Sequence, residues 1–162
     1  MNAPHKLALM FAAAAIVLPQ PAMGKSLSKA WNGAWHLNTA QSHFSSPDAT
    51  SKSDTRTYAV AGTHLTMRST STNAAGKTMK WSYSAKTDGK WYPASGNPGL
   101  DHIALTLVSP LEFKSTARLK GKVSARSTAT LSTDGKTLTI SRSILTVKGG
   151  PTDDTLVFDR AK

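Results

Sequence analysis

The chain has 162 residues, no cysteine, and 20 basic against 9 acidic side chains, a formal net charge of +11. Lack of cysteine excludes a disulfide framework, a thiol nucleophile, cysteine-based metal sites and a lipid anchored on cysteine. The length suffices for one hydrophobic core, which must then be held by burial and strand pairing alone.

Residues 1–24 read as a secretory signal. Lys6 precedes an uncharged apolar run over 7–18, then Pro19 and Pro21, with the small residues Ala22 and Gly24 before a cleavage point. The run is shorter than the roughly 20 apolar residues a membrane span requires. Cleavage near Gly24 sends the protein to the periplasm or outside the cell. The mature chain is expected to carry no transmembrane segment and to be monomeric, with 25–32 a flexible N-terminal segment and 33–162 one domain. Removing the leader takes away one lysine and no acid, so the mature protein remains strongly cationic.

From Gly33 onward apolar and polar residues alternate with period two, broken by turn residues every 8–12 positions. Gly33–Leu37 is a first strand with Trp35 and Leu37 on one face, and 38–47 is a loop carrying Ser42 and Phe44. Strand 54–60 sets Arg56, Tyr58 and Val60 on one side. Strand 64–72 sets Leu65 and Met67 opposite His64 and Arg68. In 78–87, Met79, Trp81, Tyr83 and Ala85 alternate with Lys80, Ser82, Ser84 and Lys86. Asp88-Gly89 is a hairpin signal, since Gly accepts the positive φ of a tight turn. A short strand at 91–94 follows, then the breaker Ser95-Gly96-Asn97-Pro98-Gly99.

The second half repeats the rhythm. His102–Ser109 presents Ile103, Leu105 and Leu107, and 111–119 presents Leu111 and Phe113. Strand 123–131 presents Val123, Ala125, Ala129 and Leu131, followed by an Asp134-Gly135 turn. Strands 137–147 and 155–159 complete the set around Gly149-Gly150-Pro151. No sustained 3.6-residue period follows the leader. About ten short strands in hairpin succession avoid exposed edges most simply by closing into an antiparallel up-and-down β-barrel of 8–10 strands, a two-sheet sandwich being second.

These residues resemble a lipocalin-like family of small exported bacterial proteins. The likeness is carried by Trp35-His36-Leu37-Asn38 with Ser42-His43-Phe44, Arg56-Thr57-Tyr58, and Ala85-Lys86-Thr87-Asp88-Gly89-Lys90. It continues through Tyr92-Pro93, Gly96-Asn97-Pro98, Asp134-Gly135-Lys136-Thr137-Leu138-Thr139 and Leu156-Val157-Phe158-Asp159. It implies a calycin-type barrel in which a Trp on the opening strand plugs one end, and it supplies no catalytic residues. A weaker likeness, through Trp35-His36-Leu37-Asn38 and Ser42, is to exported polyisoprenoid-binding barrels.

Enzyme signatures are missing. Gly76-Lys77-Thr78 and Gly135-Lys136-Thr137 end like a phosphate-binding loop, but Ser71 and Thr130 occupy the first-glycine position, so both read as hairpin turns. Most acids, including Asp88, Asp101, Asp134, Asp153 and Asp154, read as turn residues bonding their own backbone. His36, His43, His64 and His102 read as surface or rim residues without metal-ligand spacing. No cofactor is expected.

Arginines of apolar parity carry more information. Arg142 shares a face with Leu138, Ile140 and Ile144, Arg56 with Tyr58 and Val60, and Arg160 with Leu156 and Phe158. Pointed into a barrel, each needs a carboxylate, ordered water or an anionic head group. The function expected is non-enzymatic binding of a small hydrophobic or amphipathic, anionic ligand inside the barrel. Its site residues are Arg142, Arg56, Arg160, Tyr58, Trp81, Tyr83 and Phe113. The alternatives are a cationic envelope protein gripping acidic polymers or a protein partner through its surface, and a polyisoprenoid-binding-like barrel. Basic residues are dispersed, with a loose cluster at Lys114, Arg118, Lys120 and Lys122, so specific nucleic-acid binding is not expected.

Overall fold

The computed structural model describes residues 26–46, 50–146 and 149–162, so the expected leader lies outside the described residues. Ten antiparallel strands close into a barrel: β1 (Gly33–Leu37), β2 (Ser51–Ala61), β3 (His64–Asn73), β4 (Thr78–Lys86), β5 (Asp88–Ser95), β6 (His102–Ser109), β7 (Glu112–Leu119), β8 (Lys122–Leu131), β9 (Thr137–Ile144) and β10 (Asp154–Arg160). Each strand pairs with its neighbours in sequence, and β1 shuts the ring by pairing with both β2 and β10. Closure gives every strand two neighbours, which reduces the template for edge-to-edge association. No described helix is long and apolar enough to cross a membrane.

Alternation decides which side chains enter. Leu65, Met67, Ala85, Leu105, Phe113, Leu131, Leu138, Leu156 and Phe158 are buried in one half of the barrel. That half is stoppered by the segment before β1. Ser26–Asn32 was expected to be flexible, but its described residues are docked. Leu27 and Trp31 are buried, the Leu27 amide donates to the Gly62 carbonyl, and the Ser28 amide donates to the Pro110 carbonyl. Residues Lys29–Trp31 form a 3-10 turn capped by the Ser28 hydroxyl. Burial of two large apolar side chains there outweighs the polarity that made the segment read as loose.

The plug is knit to the barrel by indole and guanidinium donors. Trp31 Nε1 donates to the Pro110 carbonyl at 3.0 Å, and Trp35 Nε1 donates to the Trp31 carbonyl at 3.2 Å. Arg160 lies over the Trp35 ring, 4.3 Å from its centroid, and donates to the carbonyls of Gly135, Asn32 and Ala30.

Two strand expectations are corrected. Asp88-Gly89 does not separate two hairpin strands. β4 and β5 pair only through Ser82–Ser95 and Tyr83–Ala94, while Asp88 pairs with Thr106 of β6. Gly89 does take a positive φ of 76°, and the Asp88 carboxylate accepts from the Lys90 amide and the Tyr92 hydroxyl. In β8, Val123 was expected inside with Ala125. Arg118 instead faces Val123 while Ala117 faces Ala125, so Ser124 is an extra residue in the ladder. This β-bulge re-aims the strand: Val123 is exposed and Ser124 is buried.

Candidate functional site

At the end opposite the plug, the described residues of the links around β2, β3, β4 and β5, among them Thr50, Lys77, Gly96, Asn97 and Pro98, border a mouth. Below it the inward residues change character. β2 presents Asp54, Arg56 and Tyr58 in succession; β3 presents Ser69; β4 presents Trp81 and Tyr83; β9 presents Ile140, Arg142 and Ile144; β10 presents Asp154. On β7 and β8 the inward side chains at the same level are small, Ser115, Ala117, Ala125 and Ser127. Large residues on one wall and small ones on the other leave a chamber.

The chamber measures about 180 Å³; Leu100, Ile103, Ala117, Ala125, Ile140, Ile144 and Trp81 give it apolar surface, and Asn97, Ser115, Ser124, Ser127, Arg56, Arg126 and Arg142 also border it. It adjoins a wider mouth of about 590 Å³, mixed polar and apolar, bordered by Thr50, Asn73, Lys77, Met79 and Pro98, which shares Arg56, Trp81, Asn97, Arg142 and Ile144 with the chamber. Beneath, a void of about 40 Å³ lies among Tyr58, Met67, Tyr83 and Phe113. That is room for about one water molecule.

Of the three arginines that border the chamber, Arg56 and Arg142 each meet a carboxylate. Arg56 Nε donates to Asp54 Oδ2 at 2.9 Å, and the Ser69 hydroxyl donates to Asp54 Oδ1 at 2.7 Å. The Arg56 guanidinium also sits over the Phe158 ring at 4.9 Å, so it forms the chamber floor on top of the apolar half. Arg142 donates from Nε and Nη2 to Asp154 Oδ2 at 3.2 and 2.8 Å. The other Asp154 oxygen accepts from the Ser45 amide and hydroxyl, both at 3.0 Å. Ser45 is delivered there because the chain beyond β1 keeps following β10: His43 and Thr155 exchange backbone hydrogen bonds, and the Val157 amide donates to the Ser42 hydroxyl.

Electrostatics follow from this packing. Burial works against the Arg56 charge, but Asp54 beside it outweighs burial and raises its pKa. Burial lowers the pKa of Arg142, offset by Asp154 and reinforced by the like charge of Arg56. Burial pushes the Asp154 carboxyl up, yet the Ser45 amide and the Arg142 guanidinium more than cancel this and hold it below the ordinary carboxylate range. Burial raises both Tyr58 and Tyr83, which stay neutral phenols at physiological pH.

Of the sequence-predicted site residues, Arg56, Arg142 and Trp81 come together on the chamber wall, and Tyr58, Tyr83 and Phe113 line the void beneath it. Arg160 does not join them. Its parity is inward, but it sits on the plugged end against Trp35 and is engaged by three backbone carbonyls. Sequence reasoning missed Asp54, Asp154, Ser45 and Ser124. Asp154 read as a turn residue, whereas it is a fully buried strand residue directly opposite Arg142. The signal was available in its parity, shared with Leu156 and Phe158; Ser124 had none, because a bulge cannot be counted from alternation.

The histidines stay outside this arrangement. His36 bonds Thr55, His64 bonds Ser84, and His102 bonds Asp101, each a neighbour on the outer face or rim. Among the described residues no three His, Asp or Glu side chains gather as metal ligands.

What fold and site define is a closed ten-stranded antiparallel barrel, plugged at one end and open at the other, with two arginine–carboxylate pairs beside an apolar chamber. Compared with family models, curated proteins and solved structures, the chain finds no match.

Proposed function

We propose that this protein is an exported, lipocalin-like, non-enzymatic barrel that binds a small amphipathic anion through its open end. The observation that carries the reading is the placement of Arg56 and Arg142 beside a chamber with otherwise largely apolar walls. A guanidinium has five donors, and Asp54 takes only the Nε of Arg56, so the Arg56 fork can also meet the acid of a ligand, with the positive charge of Arg142 nearby. An apolar group in the chamber with its acid toward the two arginines satisfies both kinds of surface. The fully buried Trp35 and Trp31 at the plugged end support the lipocalin-like reading. Non-enzymatic action is supported by the carboxylates: Asp54 and Asp154 are held by arginine and serine donors, which disfavours either as a general base.

Displacement of an apolar fluorescent probe by carboxylic acids tests the reading. Saturable displacement is expected, and Arg142→Ala should weaken acids more than neutral alcohols of the same size. Absence of any saturable binding would refute it, and equal losses for acids and alcohols would point to damaged packing instead.

A second reading is favoured by a cleft along β7–β9, where Lys114, Thr116, Arg126, Thr128 and Ser141 meet and two exposed cations, Lys114 and Arg126, face one carboxylate, Asp153. Acidic polymers held there would dissociate as salt rises, since exposed charges are screened over about 10 Å at 0.1 M. Chamber binding would change far less.

A further inference from the structure

The wall of the chamber holds one feature that the ion pairs do not explain. Ser124 is 2% exposed, lines the chamber, and its Oγ has no hydrogen-bond partner among the described residues. The β8 bulge turns this hydroxyl inward where regular alternation would have placed Val123. Bulges commonly re-aim a side chain beside a functional site, and a buried hydroxyl left unmatched is costly to keep. The backbone there is fixed on its other side, since the Ser124 carbonyl accepts from the Leu145 amide at 2.8 Å.

Size narrows the occupant further. A chamber of about 180 Å³ is close to the apolar cavity of roughly 150 Å³ that accepts a benzene ring. It lies below the ~300 Å³ at which pockets for drug-sized molecules begin. A long alkyl chain would have to extend into the mouth, whose wall is as polar as it is apolar, so each added methylene gains less there than in the chamber.

We propose that the chamber selects a compact, ring-sized acid carrying a second hydrogen-bonding group, with Ser124 as the residue that reads that group. This rests on the binding reading above and sharpens it. The carboxylate faces Arg56 and Arg142, the ring lies against Ile103, Ile140 and Trp81, and the second polar group meets the Ser124 hydroxyl. Ser124 is a specificity residue, so its effect falls on the comparison between ligands rather than on binding as such.

Calorimetric titration of the purified protein with benzoate, the three hydroxybenzoate isomers, octanoate and palmitate tests this. One hydroxybenzoate isomer should bind about 3- to 10-fold tighter than benzoate, the worth of one net hydrogen bond. Ser124→Ala should erase that difference, bringing the preferred hydroxybenzoate to within about twofold of benzoate. Ser124→Val, which adds bulk to the wall, should weaken all the ring acids together. Palmitate should bind no tighter than octanoate. If affinity climbs through palmitate, or Ser124→Ala changes benzoate and the hydroxybenzoates alike, the inference is overturned while ligand binding stands. If none of the six acids binds, both fall.

Discussion

Replacing Asp154 by Asn removes one charge and almost no volume, so it isolates what the buried ion pair does. Asp154 is fully buried and accepts four hydrogen bonds, two from Ser45 and two from Arg142. An asparagine has one acceptor oxygen and can serve only one of these partners, turning an amide N–H₂ against donors on the other. Removing one member of a buried pair costs about 3–5 kcal/mol, mostly because the remaining charge stays desolvated. The Arg142 side chain keeps 20% of its surface toward the mouth and regains some hydration, which places the expected loss near ~3 kcal/mol, the low end of that range. Against a domain stability of about 5–15 kcal/mol this is a large fraction. Urea denaturation should show a lowered midpoint with an unchanged slope. Arg142→Met combined with Asp154→Leu should cost less than Asp154→Asn alone, because no unpaired charge remains. A loss under about 1 kcal/mol for Asp154→Asn would refute the view that this pair is a desolvated unit.

Three further outcomes follow from the geometry. A carboxyl held below its ordinary value of 3.8 contributes stability that is complete at higher pH and is lost as pH falls through its folded value. Thermal melts should therefore be flat from about pH 7 to 5 and drop below about pH 4, with a shallower drop in Asp154→Asn. Arg160→Ala loses its carbonyl acceptors and the Trp35 stack, and should destabilise by about 3 kcal/mol. Lysine should not rescue it, because the planar fork is lost, and ligand affinity should be unchanged in folded protein since Arg160 lies at the plugged end. Gly96→Ala should be far more damaging than Gly62→Ala. Both glycines have positive φ, but a Cβ at 96 would press on the Lys80 carbonyl and Trp81 backbone, whereas none is near at 62. A melting-temperature comparison checks this, with about 1 kcal/mol expected at 62.

Alternation made the barrel legible because period two marks which side chains enter, and Arg56, Arg142, Trp81 and Tyr83 do face the interior. It could not tell how deep each position lies. Arg160 and Arg142 share the same inward parity, yet one caps the plug and the other borders the chamber, a difference set by distance along the strand. Asp154 was misread because Asp beside Gly-Gly-Pro usually bonds its own backbone; only the register with Arg142 shows its task. Ser26–Asn32 read as loose from its polarity, while its anchoring by Leu27 and Trp31 depends on a pocket that exists only after closure. The Ser124 bulge is a property of the β7–β8 pairing, so no reading of one strand reveals it.

The most direct measurement uses the isoleucines. Apart from Ile16 there are three, Ile103, Ile140 and Ile144, and all line the chamber. In protein carrying labelled isoleucine δ1 methyls, titration with 3-hydroxybenzoate or octanoate followed by NMR should shift these signals in a saturable way. Labelled leucine methyls of Leu65 and Leu138, packed in the plugged half, should stay still. Unmoved isoleucine signals at saturating acid, or shifts confined to outer-face residues such as Val108, would contradict binding inside the barrel.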